Sequence, residues 1–325
     1  MSTLFNNIIE SNKTLIRKLS RIKDDGTEVA MADAKYTDLF REPTTATGNQ
    51  SYTSPGTHSW VCPSGVFSVS VCCIGGGGAG QDNWANPAGG GAGLGWKNQI
   101  PVVPGQSYTV QVGAGGQSSS SSGDAQMKGG DSYFDSPAVV CGKGGGNTSG
   151  AGSYATGTGS KGNSSGGYTG DGGGAGGHAS NYQGGGGAAG YTGNGGNGQT
   201  AADPSSGGAA GGGYYSSTYG TGAGGGTGIN GKGTTGYRWY TPWSGLTTSS
   251  GNGGGGEGGS GGSNGGYGEN PWSGTAQSSS NIPGGNYGGG GGGPGTSWPS
   301  ASGSGGDGAV KIHWNVGDTV SWPNP

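Results

Sequence analysis

The sequence predicts a mainly β protein: a small sandwich-like β frame, an inserted glycine-rich bundle of polyproline II or polyglycine II rods, and a short N-terminal amphipathic helix. Three observations predict it. Stretches such as "VFSVSVCCI", residues 66–74, alternate with a period of two and carry β-branched residues, as strands do. Of 325 residues 89 are Gly, and the apolar and aromatic set reaches only 27 %, too little for a large conventional core. The formal charge is nevertheless only −3, with 10 % charged residues, 9 Trp and 15 Tyr. Disordered chains combine low hydrophobicity with high net charge and few aromatics, so order built largely from backbone is the better expectation.

Residues 1–42 differ from the rest. They hold 7 of the 14 Lys+Arg, 7 of the 17 Asp+Glu and a single glycine. Leu4, Ile8, Leu15, Leu19 and Ile22 recur at helical spacing, which places them on one face of a helix ending near "KDDG". One short amphipathic helix cannot bury its stripe alone. It packs on copies of itself, on another protein, or back on its own chain, and the first two make it an attachment or oligomerisation segment.

Residues 43–142 form the expected β frame. "HSWVCPSGVFSVSVCCI" reads as two strands around a turn at Pro63, Ser64 and Gly65, "QSYTVQVGAGG" as another, and "GGDSYFDSPAVVCGKGGG" as one or two more. The closing strand is "GGDGAVKIHW", within a final segment 305–325. Cys72 and Cys73 are neighbours on a strand and must point to opposite faces. With Cys62 and Cys141 they show no C-x-x-C spacing, and small buried free thiols are the expectation.

Residues 143–304 are the glycine-rich insertion. Runs of three or more glycines begin at 144, 172, 184, 211, 224, 253 and 288, so that long and short spacings alternate until the last two. A linker has no reason to alternate, whereas antiparallel rods with long connections at one end and short ones at the other do. Glycine disfavours the α-helix by about 1 kcal/mol per residue relative to Ala. Collagen requires Gly strictly every third residue, a register absent here. There remains the polyproline II rod, whose glycine faces let backbones approach closely enough to hydrogen-bond to one another. On this reading "CCIGGGGAG" is a strand leaving a sheet and joining a lattice of rods.

Catalytic chemistry finds no support. His58, His178 and His313 are scattered, and no carboxylate pair or metal-ligand spacing stands out. Matches to G-x-G-x-x-G carry almost no information in so glycine-rich a chain, and G-x-x-x-x-G-K-[ST] is missing. No cofactor, metal or enzymatic activity is expected. The negative charge leaves no phosphate footprint for nucleic acid, and the opening residues do not read as a signal peptide.

The functional clue is aromatic. Tyr237, Trp239, Tyr240 and Trp243 share one connection, and Trp272 and Trp298 sit in two others. Exposed rings stack on sugars and give protein contact area at low entropic cost. The same rings can cap the ends of rods, and one connection can do both. Connections at 150–165, 191–206 and 227–250 are expected to gather at one end.

Glycine runs alternating with loops rich in Tyr, Trp, Ser and Asn resemble the glycine-rich adhesins at the tips of bacteriophage long tail fibres. "SYTSPGTHSWVCPSGVFSVSVCCIGGGGAG" and "GGDGAVKIHW" resemble the β frame of glycine-rich domains in phage virion proteins, over residues 50–316. The resemblance implies a non-enzymatic virion protein, made in the host cytoplasm, whose aromatic loops bind a host-surface glycan or outer-membrane protein. It implies a homo-oligomer, a trimer first, joined to other virion proteins through residues 1–42. The alternative is a structural decoration of head, neck or tail without essential receptor contact. A cellular surface or ice-binding role is weaker, since it needs an export signal.

Overall fold

A computed structural model describes residues 21–22, 28–29, 47–80, 88–118, 125–146, 167–179, 184–198, 202, 205–212, 222–236, 239–240, 255–266, 282–293, 302–314 and 321–324. The chain divides into two compact units, Met1–Thr44 and Thr45–Pro325.

In the first unit β1 (Arg21–Ile22) pairs antiparallel with β2 (Glu28–Val29), with Ile22 opposite Glu28. Ile22 therefore belongs to a strand and does not extend the expected helix. The physical reason is local: Asp25-Gly26 between them is a hairpin-turn signal that competes with helix continuation. Leu4, Ile8, Leu15 and Leu19 lie outside the described residues.

The second unit is a two-sheet frame continued by glycine rods. One sheet has β11 (Gly172–Gly174), β6 (Leu94–Pro101), β5 (Ser68–Ile74), β14 (Ala309–Trp314) and β3 (Gly48–Tyr52), in that order. The other has β10 (Tyr168–Thr169), β9 (Val140–Gly142), β8 (Ser132–Phe134), β7 (Ser107–Val112) and β4 (Gly56–Val61). All their pairings are antiparallel. Two further short strands, β12 (Trp239–Tyr240) and β13 (Gly255–Gly256), pair apart from these sheets.

The two strands expected within "HSWVCPSGVFSVSVCCI", residues 58–74, form as β4 and β5, but they do not pair with each other. β4 joins β7, whereas β5 joins β6 and β14. The turn between them crosses from one sheet to the other, and Cys62 and Val66 are buried in the core between the sheets. Trp60, Val69, Val71, Tyr108, Val110, Phe134 and Ile312 fill the space between the sheets, with Trp60 edge-on to Phe134. The last strand in the sequence is not a border: β14 lies between β5 and β3.

β5 is buried on both faces, which explains its nearly unbroken apolar run. Cys73 faces the inter-sheet core, while Cys72 and Ile74 face a second core with Leu94, Tyr191, Ile229 and Trp322. All four cysteines are buried and unbridged.

Where β5 ends, the chain goes straight on as a rod, and the hydrogen bonding changes period. Gly75 and Gly78 N–H donate to Gly93 and Gly90 O (3.1 and 2.9 Å), Gly76 and Ala79 to Gly130 and Met127 O (2.9 and 2.8 Å), and Gly77 and Gly80 to Gly306 and Gly303 O (2.8 and 3.0 Å). Three successive peptides thus address three neighbours, whereas a strand's peptides alternate between two sides. A three-residue repeat is the polyproline II screw. The carbonyls of Gly76, Gly77 and Gly78 accept from Gly145, Gly116 and Gly291, three different rods again. Each rod interior to the lattice is thereby surrounded on all sides by backbone.

Residues 184–190 repeat the pattern: Gly185 and Ala188 donate to Gly222 and Gly225, Gly186 and Ala189 to Gly89 and Ala92, Gly187 and Gly190 to Gly196 and Gly193. Glycine is required because a Cβ on Gly76, Gly77 or Gly78 would stand 2.1, 2.0 or 2.1 Å from a neighbouring carbonyl oxygen. The rods begin before the insertion does. Residues 75–80, 88–93 and 113–116 belong to the lattice as fully as 184–190, so frame and glycine bundle are one continuous structure across residue 143.

Candidate recognition end of the glycine lattice

The direction of each rod follows from its register with the strands. Residues 75–80, 113–116, 142–146 and 174–179 continue β5, β7, β9 and β11 away from the sheets, and 88–93 and 302–308 run into β6 and β14. Residues 184–190 bond in parallel register to 88–93, through Gly186 to Gly89 and Ala189 to Ala92, so they run toward the sheets. Residues 222–228 do likewise, whereas 193–198, 205–212, 262–266 and 288–293 run away.

The sheet end is closed by tight turns. Tyr191, Ile229 and Tyr287 there press on the outer face of β5, β6 and β14, and Ser260-Gly261 turns with positive φ at both residues. Gly80, Gly146, Ala179, Gly198, Gly212, Gly236, Gly266 and Gly293 are among the points at which the chain leaves the described lattice, and all lie at the end remote from the sheets.

Of the three connections expected to gather at one end, 150–165 lies outside the described residues. Segments 191–206 and 227–250 both start at the sheet end, not at a free tip. Each is long because it contains further rods, 193–198 in the first and 233–236 in the second. Rods do not need runs of three glycines. Exposed Asn side chains satisfy the lattice rim: Asn194 and Asn197 Oδ1 accept the Ala175 and His178 N–H at 2.9 and 2.7 Å. Asp131, Asp307 and Asn264 do the same for Gly144, Gly115 and Gly258. The "GNGGNG" spacing of three carried this signal in the sequence.

Among the aromatic candidates, Trp239 and Tyr240 form β12 immediately beyond Gly236, opposite Gly256 and Gly255. Tyr237, Trp243, Trp272 and Trp298 lie outside the described residues. The positions bracketing the stretches with Trp272 and Trp298 are neighbours, since Gly266 N–H donates to Pro283 O (2.8 Å) and Gly292 N–H to Ile282 O (3.0 Å). Beside them is an open groove lined by Ser263, Asn264, Gly266, Pro283 and Asn286. Its described lining offers amide and hydroxyl groups and no charged side chain.

The three histidines stand on separate elements: His58 on β4, His178 in a rod and His313 on β14. Burial, reinforced by the nearby Lys311 charge, brings His313 down to about 4. Burial pushes the Cys72 and Cys141 thiols up to about 12. No group of three or more His, Cys, Asp or Glu among the described residues could hold a metal ion, and no described helix is long and apolar enough to cross a membrane.

A glycine-rich domain family matches residues 53–271, more than half of the chain. No curated protein matches it.

Proposed function

We propose, from the premise that the chain belongs to the glycine-rich domain family, that it is a non-enzymatic bacteriophage virion fibre protein attaching to a host-cell surface through the aromatic connections remote from its sheets. The observation that carries this reading is the polarity of the rods. The described rods reach Gly236, Gly266 and Gly293 at the end remote from the sheets, and the candidates Tyr237, Trp239, Tyr240, Trp243, Trp272 and Trp298 follow these positions in the sequence. Variable chemistry at such an end leaves the scaffold untouched, and loops positioned by rigid elements are where recognition concentrates. A groove whose described lining offers amides and hydroxyls, on a chain carrying aromatic connections, suits a glycan, with an outer-membrane protein as the other class of receptor. Residues 1–42, on this reading, join the protein to other virion components or to its own copies, with three copies the first expectation.

The test is attachment of the full chain to host cells. Replacing Trp239, Tyr240 and Trp243 together by Ala should reduce binding by at least about a hundredfold, because interface aromatics are worth roughly 2 kcal/mol or more each. The thermal transition should be unchanged. Undiminished attachment overturns the proposal and favours a structural virion component. Loss of fold in the variant assigns the rings to capping the rods. Absence of the chain from purified particles by mass spectrometry overturns the virion assignment itself.

A further inference from the structure

Residues 321–324 sit in a slot on the outer face of the β5, β6 and β14 sheet. Trp322 is fully buried there, its ring stacked on Tyr191 with centroids 5.5 Å apart and planes at 14°. The His313 ring meets it edge to face at 5.3 Å. The backbone is read as well. Asn98 Oδ1 accepts the Trp322 N–H at 2.9 Å and Asn98 Nδ2 donates to the Trp322 carbonyl at 3.1 Å. The Lys232 N–H donates to the Pro323 carbonyl at 2.7 Å. A side-chain amide offering donor and acceptor to one residue's backbone, beside an aromatic platform for its ring, is the chemistry of a peptide-recognition site.

All of these contacts are made by residues 322–323 themselves. None passes through the covalent connection to β14. The seat also leaves polar atoms unpaired: neither Trp322 Nε1 nor His313 Nε2 has a hydrogen-bond partner among the described residues, so its fit is short of optimal and compatible with exchange. We propose that this slot is an interaction site between copies of the chain, whose occupant in trans is the Ser321-Trp322-Pro323-Asn324 segment of a second copy. Attachment in cis gives the tail an effective concentration on the order of millimolar. Exchange is therefore favoured where copies are held side by side at comparable local concentration.

The probe is a dye-labelled peptide Ser-Trp-Pro-Asn-Pro, titrated by anisotropy into the full chain, into Trp322→Ala and into Trp322→Ala with Asn98→Ala. Saturable binding is expected for Trp322→Ala, at least about tenfold weaker in the wild type, where the tail competes, and at least about tenfold weaker without Asn98. Equal binding with and without Asn98, or no saturation by folded Trp322→Ala, overturns the site. Tighter binding of Thr-Ser-Trp-Pro-Ser, the sequence of residues 296–300, overturns the choice of occupant. A second measurement leaves the slot's rings intact: full chains with Lys232→Cys are mixed with full chains with Asn324→Cys under oxidising conditions. A mixed disulfide dimer is expected, and its absence at concentrations up to the millimolar range overturns exchange between copies.

Discussion

Substituting Gly185 by Ala places one methyl group in the interior of the lattice. That carbon would stand 2.4 Å from Gly290 O, 2.8 Å from Gly224 N and 2.9 Å from Gly291 O, where ordinary contact begins at 3.4 Å. Relief requires the rod 288–293 to move by about 1 Å, well outside what close-packed interiors absorb freely. Such a shift stretches the Gly290 N–H bond to Gly186 O (2.9 Å) and the Gly224 N–H bond to Gly290 O (2.8 Å) beyond hydrogen-bonding distance. Each buried backbone group left unpaired costs about 1–3 kcal/mol, so two broken bonds cost roughly 4 kcal/mol or more. That is a large share of the roughly 5–15 kcal/mol that keeps a domain folded. Valine at the same position should be worse. The control is Ala189→Gly in the same rod, where a buried methyl is removed; the lost burial of about 0.8 kcal/mol and the added chain entropy set a cost of about 1–2 kcal/mol. Urea unfolding followed by near-UV circular dichroism measures both. A Gly185→Ala protein within about 0.5 kcal/mol of wild type, or one more stable than Ala189→Gly, refutes the lattice reasoning.

Five further outcomes follow from the same structure. Folded protein should protect Cys72, Cys73 and Cys141 from Ellman's reagent at pH 8. Because burial raises the Cys72 and Cys141 thiols from 9.0 to about 12, the stability they confer is complete below about pH 9 and declines as pH climbs toward 12, measurable by thermal melts across that window. His313 is depressed from 6.5 to about 4, so its contribution is present above pH 6.5 and disappears as pH falls toward 4; His313→Gln should flatten that part of the stability profile. Asn194→Ala with Asn197→Ala strips two rim acceptors from the rod 174–179 and should cost about 1–2 kcal/mol in urea unfolding. A chain lacking residues 1–42 should keep the melting profile of the second unit and fail to assemble, as read by light scattering and particle incorporation.

The sequence made the local elements legible and the long-range partners obscure. Alternation in "SVSVCCI", "SYTVQV" and "AVKIHW" named β5, β7 and β14 because period two is a property of the strand itself. That β4 and β5 belong to different sheets was not written in the turn "CPSG"; it depends on where Trp60, Val69 and Val71 all find a common core. Glycine runs announced the rods at 184–190 and 288–293, since a Cβ on Gly184, Gly185, Gly186, Gly187, Gly289, Gly290 or Gly291 would strike a neighbouring rod's backbone. Rods such as 193–198 went unannounced because their side chains face the rim, where Asn is useful and not forbidden. Nothing local marks Tyr191, Ile229 and Trp322 as one core either, as they meet across long stretches of chain. Of the aromatic candidates, Trp239 and Tyr240 were legible as a cluster, and their place beyond Gly236 followed only once the rods had directions.

Residue-resolved amide hydrogen exchange on the full chain tests the lattice most directly. Six consecutive N–H groups from Gly75 to Gly80, and six more from Gly185 to Gly190, each donate to a neighbouring rod. All twelve should be protected to a comparable degree, without alternation along either rod. Alternate fast and slow exchange, as at the edge of a β-sheet, or fast exchange throughout, as in a glycine linker, would contradict the lattice and with it the scaffold on which the proposed recognition end depends.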